Sequence, residues 1–112
     1  MLGYTDFCVQ ILNFDETQIS LTDVDLWTPL SYSSSKGHIS VTELLLKHKA
    51  TVNQQDEEGW TPLKLACHEG NKDVVELLLT HQAEVDKADN DDWTPLHLSC
   101  SKGYKDIAEL LL

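Results

Sequence analysis

The groups in this chain best suited to hold a metal or attack carbon are Cys67, His97 and Cys100. His97 and Cys100 stand at i and i+3, and Cys67 precedes Cys100 by 33 residues. Zinc takes four such ligands, or three and a water, at about 2.0–2.3 Å. Both thiols fall where small residues pack, and buried thiols of that kind are inert. Attack by Cys67 with His97 as base would need an exposed thiolate and a third orienting group, and the sequence shows neither. The run Asp89-Asn-Asp-Asp92 opens like a calcium loop but lacks the glycine and glutamate that such a loop needs further on. It reads as turn chemistry with solvated acids. The expectation is no catalytic residue, no metal ligand, no cofactor and no enzyme.

The charge narrows the partners. The chain has 112 residues and a net charge of −11, and all eight of its cations are lysine. Without arginine it lacks the planar fork that grips phosphate and guanine edges, and an acidic surface repels a phosphate backbone. Nucleic acid is therefore not expected. No apolar run approaches the roughly 20 residues that span a bilayer, so no membrane partner is expected either. The start, Met1-Leu-Gly-Tyr-Thr-Asp-Phe, has no basic stretch and meets an acid at Asp6, unlike a secretory signal. The three thiols, Cys8, Cys67 and Cys100, fit a reducing compartment. The expected location is intracellular, cytoplasmic or nuclear.

The elements that position these groups repeat. Trp-Thr-Pro-Leu occurs at Trp27–Leu30, Trp60–Leu63 and Trp93–Leu96, with a period of 33 residues, which is the mark of a repeat solenoid. On the same period come Gly37, Gly70 and Gly103, then Val41, Val74 and Ile107, then Leu44-Leu-Leu, Leu77-Leu-Leu and Leu110-Leu-Leu. Ala50-Thr-Val52 and Ala83-Glu-Val85 close the two complete units. Ahead of Asp23, Cys8-Val-Gln-Ile-Leu12 and Ile19 fit the same register as the back half of a degraded unit.

Each unit reads as two short helices. Thr61 caps the first, and Pro62 suits its first position, where a missing N–H costs nothing. Gly70 ends it in a conformation that glycine adopts cheaply. Asn71 is the expected cap of the second helix, with Asp73 near its positive end. Val74, Leu77 and Leu78 at i, i+3 and i+4 form its buried stripe. Small residues at Ser33-Ser34, Ala66-Cys67 and Ser99-Cys100 let neighbouring helices approach. Packed helices lie about 8–10 Å apart and a disulfide needs Cα atoms within about 7 Å, so no Cys67–Cys100 bridge is expected.

Thr-Pro-Leu, Gly, Val-Val-x-Leu-Leu-Leu and Ala-x-Val at this period resemble the ankyrin-repeat family over nearly the whole chain. The resemblance implies an all-α solenoid of stacked helix-turn-helix units with projecting β-turn fingers. It gives a single domain over residues 1–112: a degenerate half repeat at 1–22, repeats at 23–55 and 56–88, and an incomplete third at 89–112. The fingers and first helices would line a concave face that binds other proteins without catalysis.

The departures from the family are specific. Only repeat three keeps Thr-Pro-Leu-His, with His97, where the others have Ser31 and Lys64. The finger glycine survives as Gly59 but is Leu26 and Asp92 elsewhere. Lys49 and Gln82 replace the glycine before Ala-x-Val, and a left-handed conformation there costs on the order of 1 kcal/mol each. Tyr32 stands where Leu65 and Leu98 do. His48 and His81 are expected to face solvent. Asn53 matches a hydroxylation acceptor of the family, while its chemistry reads as a turn asparagine bonded to its own backbone. Leu110-Leu-Leu112 closes the chain without a polar cap, as expected of a slice of a longer protein or an end covered by a partner or second copy.

By the same resemblance the contact positions are two finger residues, the tryptophan and two residues before the inner glycine. They are Val24, Asp25, Trp27, Ser35 and Lys36; Glu57, Glu58, Trp60, His68 and Glu69; and Asn90, Asp91, Trp93, Ser101 and Lys102. Asp25, Trp27, Glu57, Glu58, Trp60, His68, Asn90, Asp91, Trp93 and Ser101 are the expected partner contacts. The partner would be a protein or peptide with apolar and basic features. Each Trp is open to two readings, a staple packed on Tyr32, Leu65 or Leu98, or an exposed anchor. The competing function is self-assembly through the leucine end or the N-terminal half repeat.

Overall fold

A computed structural model describes residues 19–112 of the chain. Among the described residues there are six helices and no strand. The helices are α1 (Pro29–Lys36), α2 (Ile39–Lys47), α3 (Pro62–Glu69), α4 (Lys72–Thr80), α5 (Pro95–Lys102) and α6 (Lys105–Leu111). The first helices stack as α1, α3 and α5, and the second helices as α2, α4 and α6. The degraded helix expected at Cys8–Leu12, and Cys8 itself, lie outside the described residues. Ile19 is buried and joins the core.

Each first helix starts on its threonine. The side chains of Thr28, Thr61 and Thr94 accept from the N–H of Ser31, Lys64 and His97 at 3.1, 3.3 and 3.3 Å. A proline follows at the first helical position, as expected. Gly37, Gly70 and Gly103 end these helices with φ of 75°, 73° and 76°. Close approach also holds two of these glycines: a Cβ on Gly37 would lie 2.9 Å from Asn71 Oδ1, and one on Gly70 3.1 Å from the Tyr104 ring.

Asn71 does not cap its helix. Its amide instead donates to the carbonyls of Ser34 and Ser35, at 2.9 and 3.1 Å, in the preceding repeat. Those carbonyls end α1 without intrahelical partners, so the amide is drawn across the seam and away from the α4 N–H groups. Asn53 likewise does not bond its own backbone. Its oxygen accepts from Glu84 N–H at 2.9 Å, as Ser20 Oγ accepts from Thr51 N–H at 3.0 Å one repeat earlier.

The core is built by the periodic positions. Leu30, Val41, Leu45, Leu63, Val74, Val75 and Leu78 are all but inaccessible, and Ile107 and Leu111 extend the cluster. Cys67 is buried, but Cys100, expected in the same small-residue layer, is exposed. In the described structure α5 has α3 on one side and no following first helix on the other. Lys49 and Gln82 adopt the left-handed conformation, with φ of 65° and 67°, and so do Leu26 and Asp92 at 64°. Each non-glycine residue there costs on the order of 1 kcal/mol. No helix of the described residues is long and apolar enough to cross a membrane.

Candidate partner-binding face

An aspartate organises each finger. Asp23, Asp56 and Asp89 accept through Oδ1 from the N–H two residues on (Asp25, Glu58, Asp91), at 2.8–2.9 Å. The same oxygens accept from Trp27, Trp60 and Trp93 N–H, also at 2.8–2.9 Å. The aspartate N–H returns to the Trp carbonyl, which closes the turn. Adjacent fingers are pinned together, because Glu57 N–H donates to Asp25 O at 3.2 Å and Asn90 N–H to Glu58 O at 2.9 Å. These aspartates recur every 33 residues, each at the first position of its repeat.

The tryptophans follow from this geometry. Trp27 packs on Tyr32 with ring centroids 4.8 Å apart, as the staple reading expects. In the next two repeats the ring partner is a histidine: His68 for Trp60, at 5.3 Å, and His97 for Trp93, at 6.0 Å. Trp27 and Trp60 are half-buried, whereas Trp93 is exposed.

Six of the ten expected contact residues line one groove. Asp25, Trp27, Glu57, Glu58, Trp60 and His68 surround a cleft of about 420 Å³ between repeats one and two, together with Ser35, Asp56, Leu65 and Glu69. Two indoles and a leucine supply its apolar surface. Five carboxylates and no lysine stand on its walls. His68 Nδ1 lies 3.0 Å from Glu69 Oε1.

Asn90, Asp91, Trp93 and Ser101 do not line this groove. Asn90 is taken up by the scaffold, since its Nδ2 donates to Glu57 O at 2.8 Å. Asp91, Trp93 and Ser101 are exposed on the third repeat, which has no further finger beside it in the described structure.

Lys64 reads in the sequence only as a departure from Thr-Pro-Leu-His, and its role emerges from the structure. It is 1 % exposed, and its Nζ pairs with Asp89 Oδ2, donates to Trp93 O at 2.9 Å and sits 4.8 Å from the centre of the Trp60 ring. It thus joins the groove tryptophan to the finger of the next repeat. Burial pushes the Asp89 carboxyl up, but the Lys64 ammonium and the N–H groups of Trp93 and Asp91 together hold it below its ordinary value of 3.8. Asp89 is therefore a buried ion-pair partner, not the solvated acid expected of its run. In repeat one the Tyr32 hydroxyl donates to Asp23 Oδ2, which with the Trp27 N–H lowers that carboxyl too.

The chemical candidates do not assemble. Among the described residues no group of three His, Cys, Asp or Glu side chains could hold a metal ion. Burial pushes the Cys67 thiol up to about 11, against a hydrogen bond with Ser99 that lowers it, so near neutral pH it is not a thiolate. His97 Nδ1 is engaged with Thr94 at 3.0 Å. His81, expected to face solvent, is half-buried, with Nδ1 3.0 Å from Leu77 O.

No curated protein matches the chain. The sequence model for ankyrin repeats, three copies long, matches residues 1–89 and again 49–112, which together span the sequence. The paired helices, the capping threonines, the left-handed glycines and the linked fingers agree with that match, and the chain belongs to the ankyrin-repeat family.

Proposed function

We propose that this chain is a non-catalytic module that binds a basic segment of another protein in the groove between repeats one and two. Ankyrin repeats are generally protein–protein interaction modules and typically lack catalysis. The observation that carries the finer reading is the composition of the groove, in which Trp27, Trp60 and Leu65 lie among five carboxylates and no lysine belongs to the lining. A low-dielectric cleft lined by one sign of charge concentrates the opposite charge. Large rings that keep one face open supply anchoring area at low entropic cost. Trp27 and Trp60 act as the anchors, and Asp25, Glu57, Glu58 and Glu69 as the counter-charges.

The test is a random-peptide display selection on the wild-type protein. Recovered peptides should be rich in lysine or arginine beside an apolar residue. Their binding should drop at least about tenfold in Glu57→Lys/Glu58→Lys, because like charge meets like. Peptides that bind this variant and Trp60→Ala as well as wild type would place the binding face elsewhere.

A further inference from the structure

The three fingers have one backbone and different tips. Positions two to four of each turn read Val24-Asp-Leu26, Glu57-Glu-Gly59 and Asn90-Asp-Asp92. In finger one, Val24 is 86 % and Leu26 42 % exposed. Leu26 also holds a φ of 64°, where finger two has glycine at 81°. A leucine in the left-handed conformation with its side chain in water is disfavoured twice, once by its backbone and once by its solvation. Backbone outliers held against their intrinsic preference gather at binding sites.

The apolar tip adjoins the acidic groove. Asp25, between Val24 and Leu26, lines that groove, and its carbonyl accepts from Glu57 N–H at 3.2 Å. The Trp27–Tyr32 pair follows on the same repeat, with Tyr32 41 % exposed. The tip of finger one therefore carries apolar side chains on either side of Asp25, whereas that of finger two carries Glu57 and Glu58.

We infer that the occupant is a bipartite segment, with apolar side chains on Val24 and Leu26 next to lysine or arginine side chains facing Glu57 and Glu58. This rests on the groove being the site for a basic partner. The apolar tip sets which basic segments are accepted, because charge alone does not distinguish one polycation from another. Leu26 is thus a specificity residue that the fold itself disfavours.

Labelled peptides test it directly: Gly-Gly-Gly-Lys-Arg-Lys-Arg-Gly-Gly-Gly, and versions with two leucines replacing glycines before or after the basic run. One leucine-bearing order should bind wild type about tenfold or more tighter than the glycine parent, the scale of burying one such side chain. That advantage should disappear in Val24→Ser/Leu26→Gly, leaving the affinity of the glycine parent unchanged. Leu26→Gly alone should also raise the unfolding midpoint, since glycine suits the left-handed turn, so lost affinity cannot be lost folding. No leucine advantage, or one that survives the tip variants, overturns the inference while leaving the groove reading intact. A Leu26→Gly protein that is less stable than wild type overturns it as well, because the leucine is then a structural contact. Glu57→Lys/Glu58→Lys binding all peptides as wild type does overturns the groove reading itself, as does failure of every peptide to bind.

Discussion

The seam between repeats one and two is closed by neutral groups, and the seam between repeats two and three by a buried ammonium. At the first, Asn71 reaches back to Ser34 O and Ser35 O, and Asn53 accepts from Glu84 N–H. At the second, Lys64 enters the third finger and pairs with Asp89, while the Tyr104 ring covers Gly70 in place of an amide. The difference begins at one position. After Thr-Pro-Leu, Ser31 and His97 turn back on Thr28 and Thr94 and complete capping boxes. The Lys64 ammonium has no lone pair to accept the Thr61 N–H, and it goes forward. Among the described residues Asp56, the counterpart of Asp89, has no such cation, because Ser31 is short and already bonded to Thr28. One substitution in a repeated motif thus converts a local cap into a link between units.

Removing the ammonium is the most severe way to break this contrast. Lys64→Met leaves the Asp89 carboxylate buried without its partner, and breaking such a pair costs about 3 kcal/mol. Changing Asp89 to Asn in the same protein should recover much of that loss, since the amide oxygen still accepts from Asp91 and Trp93 N–H. Ser31→Ala, at the equivalent position, removes one neutral acceptor and should cost about 1 kcal/mol. Urea unfolding of the four proteins checks the order. Equal losses at Lys64 and Ser31 would mean that the seams are alike after all.

Acid probes the same link more gently. The folded Asp89 pKa lies below its ordinary value of 3.8. Its contribution is therefore fully present above about pH 4 and is lost as the pH falls through the lower folded value. In Lys64→Met only the backbone N–H groups oppose burial, so the loss should begin at higher pH. Urea midpoints followed from about pH 7 down to about pH 3 should hold longer for wild type than for the variant. Parallel curves would remove the ion pair from the acid response.

Much of the scaffold was legible because stacking forces each unit to repeat the same local chemistry. The capping threonines, the left-handed glycines and the leucine stripe are period-33 residues whose roles lie within one unit. What sequence missed crosses between units. Asn71 is a good capping residue, so nothing within its own repeat indicates that its amide is drawn to Ser34 and Ser35. Lys64 looks like a lost histidine until the next finger is placed beside it. Cys67 and Cys100 align perfectly yet differ in burial, because only one has a following helix over it. The groove residues divide for the same reason. Those of repeats one and two face one another, while Trp93 and Ser101 have no next repeat opposite them among the described residues.

Lys49 and Gln82 give the mildest test, and it bears on both seams at once. Each follows its second helix in a left-handed conformation, with φ of 65° and 67°, and the next N–H closes the turn onto Leu45 O and Leu78 O. Glycine should relieve about 1 kcal/mol of backbone strain at either site, partly offset by the greater freedom of the unfolded chain. The strain is local to the turn. Lys49→Gly and Gln82→Gly should therefore raise stability by similar amounts, although one precedes repeat two and the other the Lys64-bridged repeat three. The double variant should gain the sum, as distant independent sites do. If Gln82→Gly gains clearly less, or the pair falls short of additivity, the helix ends are coupled to the seams, and the ammonium link reaches further through the stack than its own contacts.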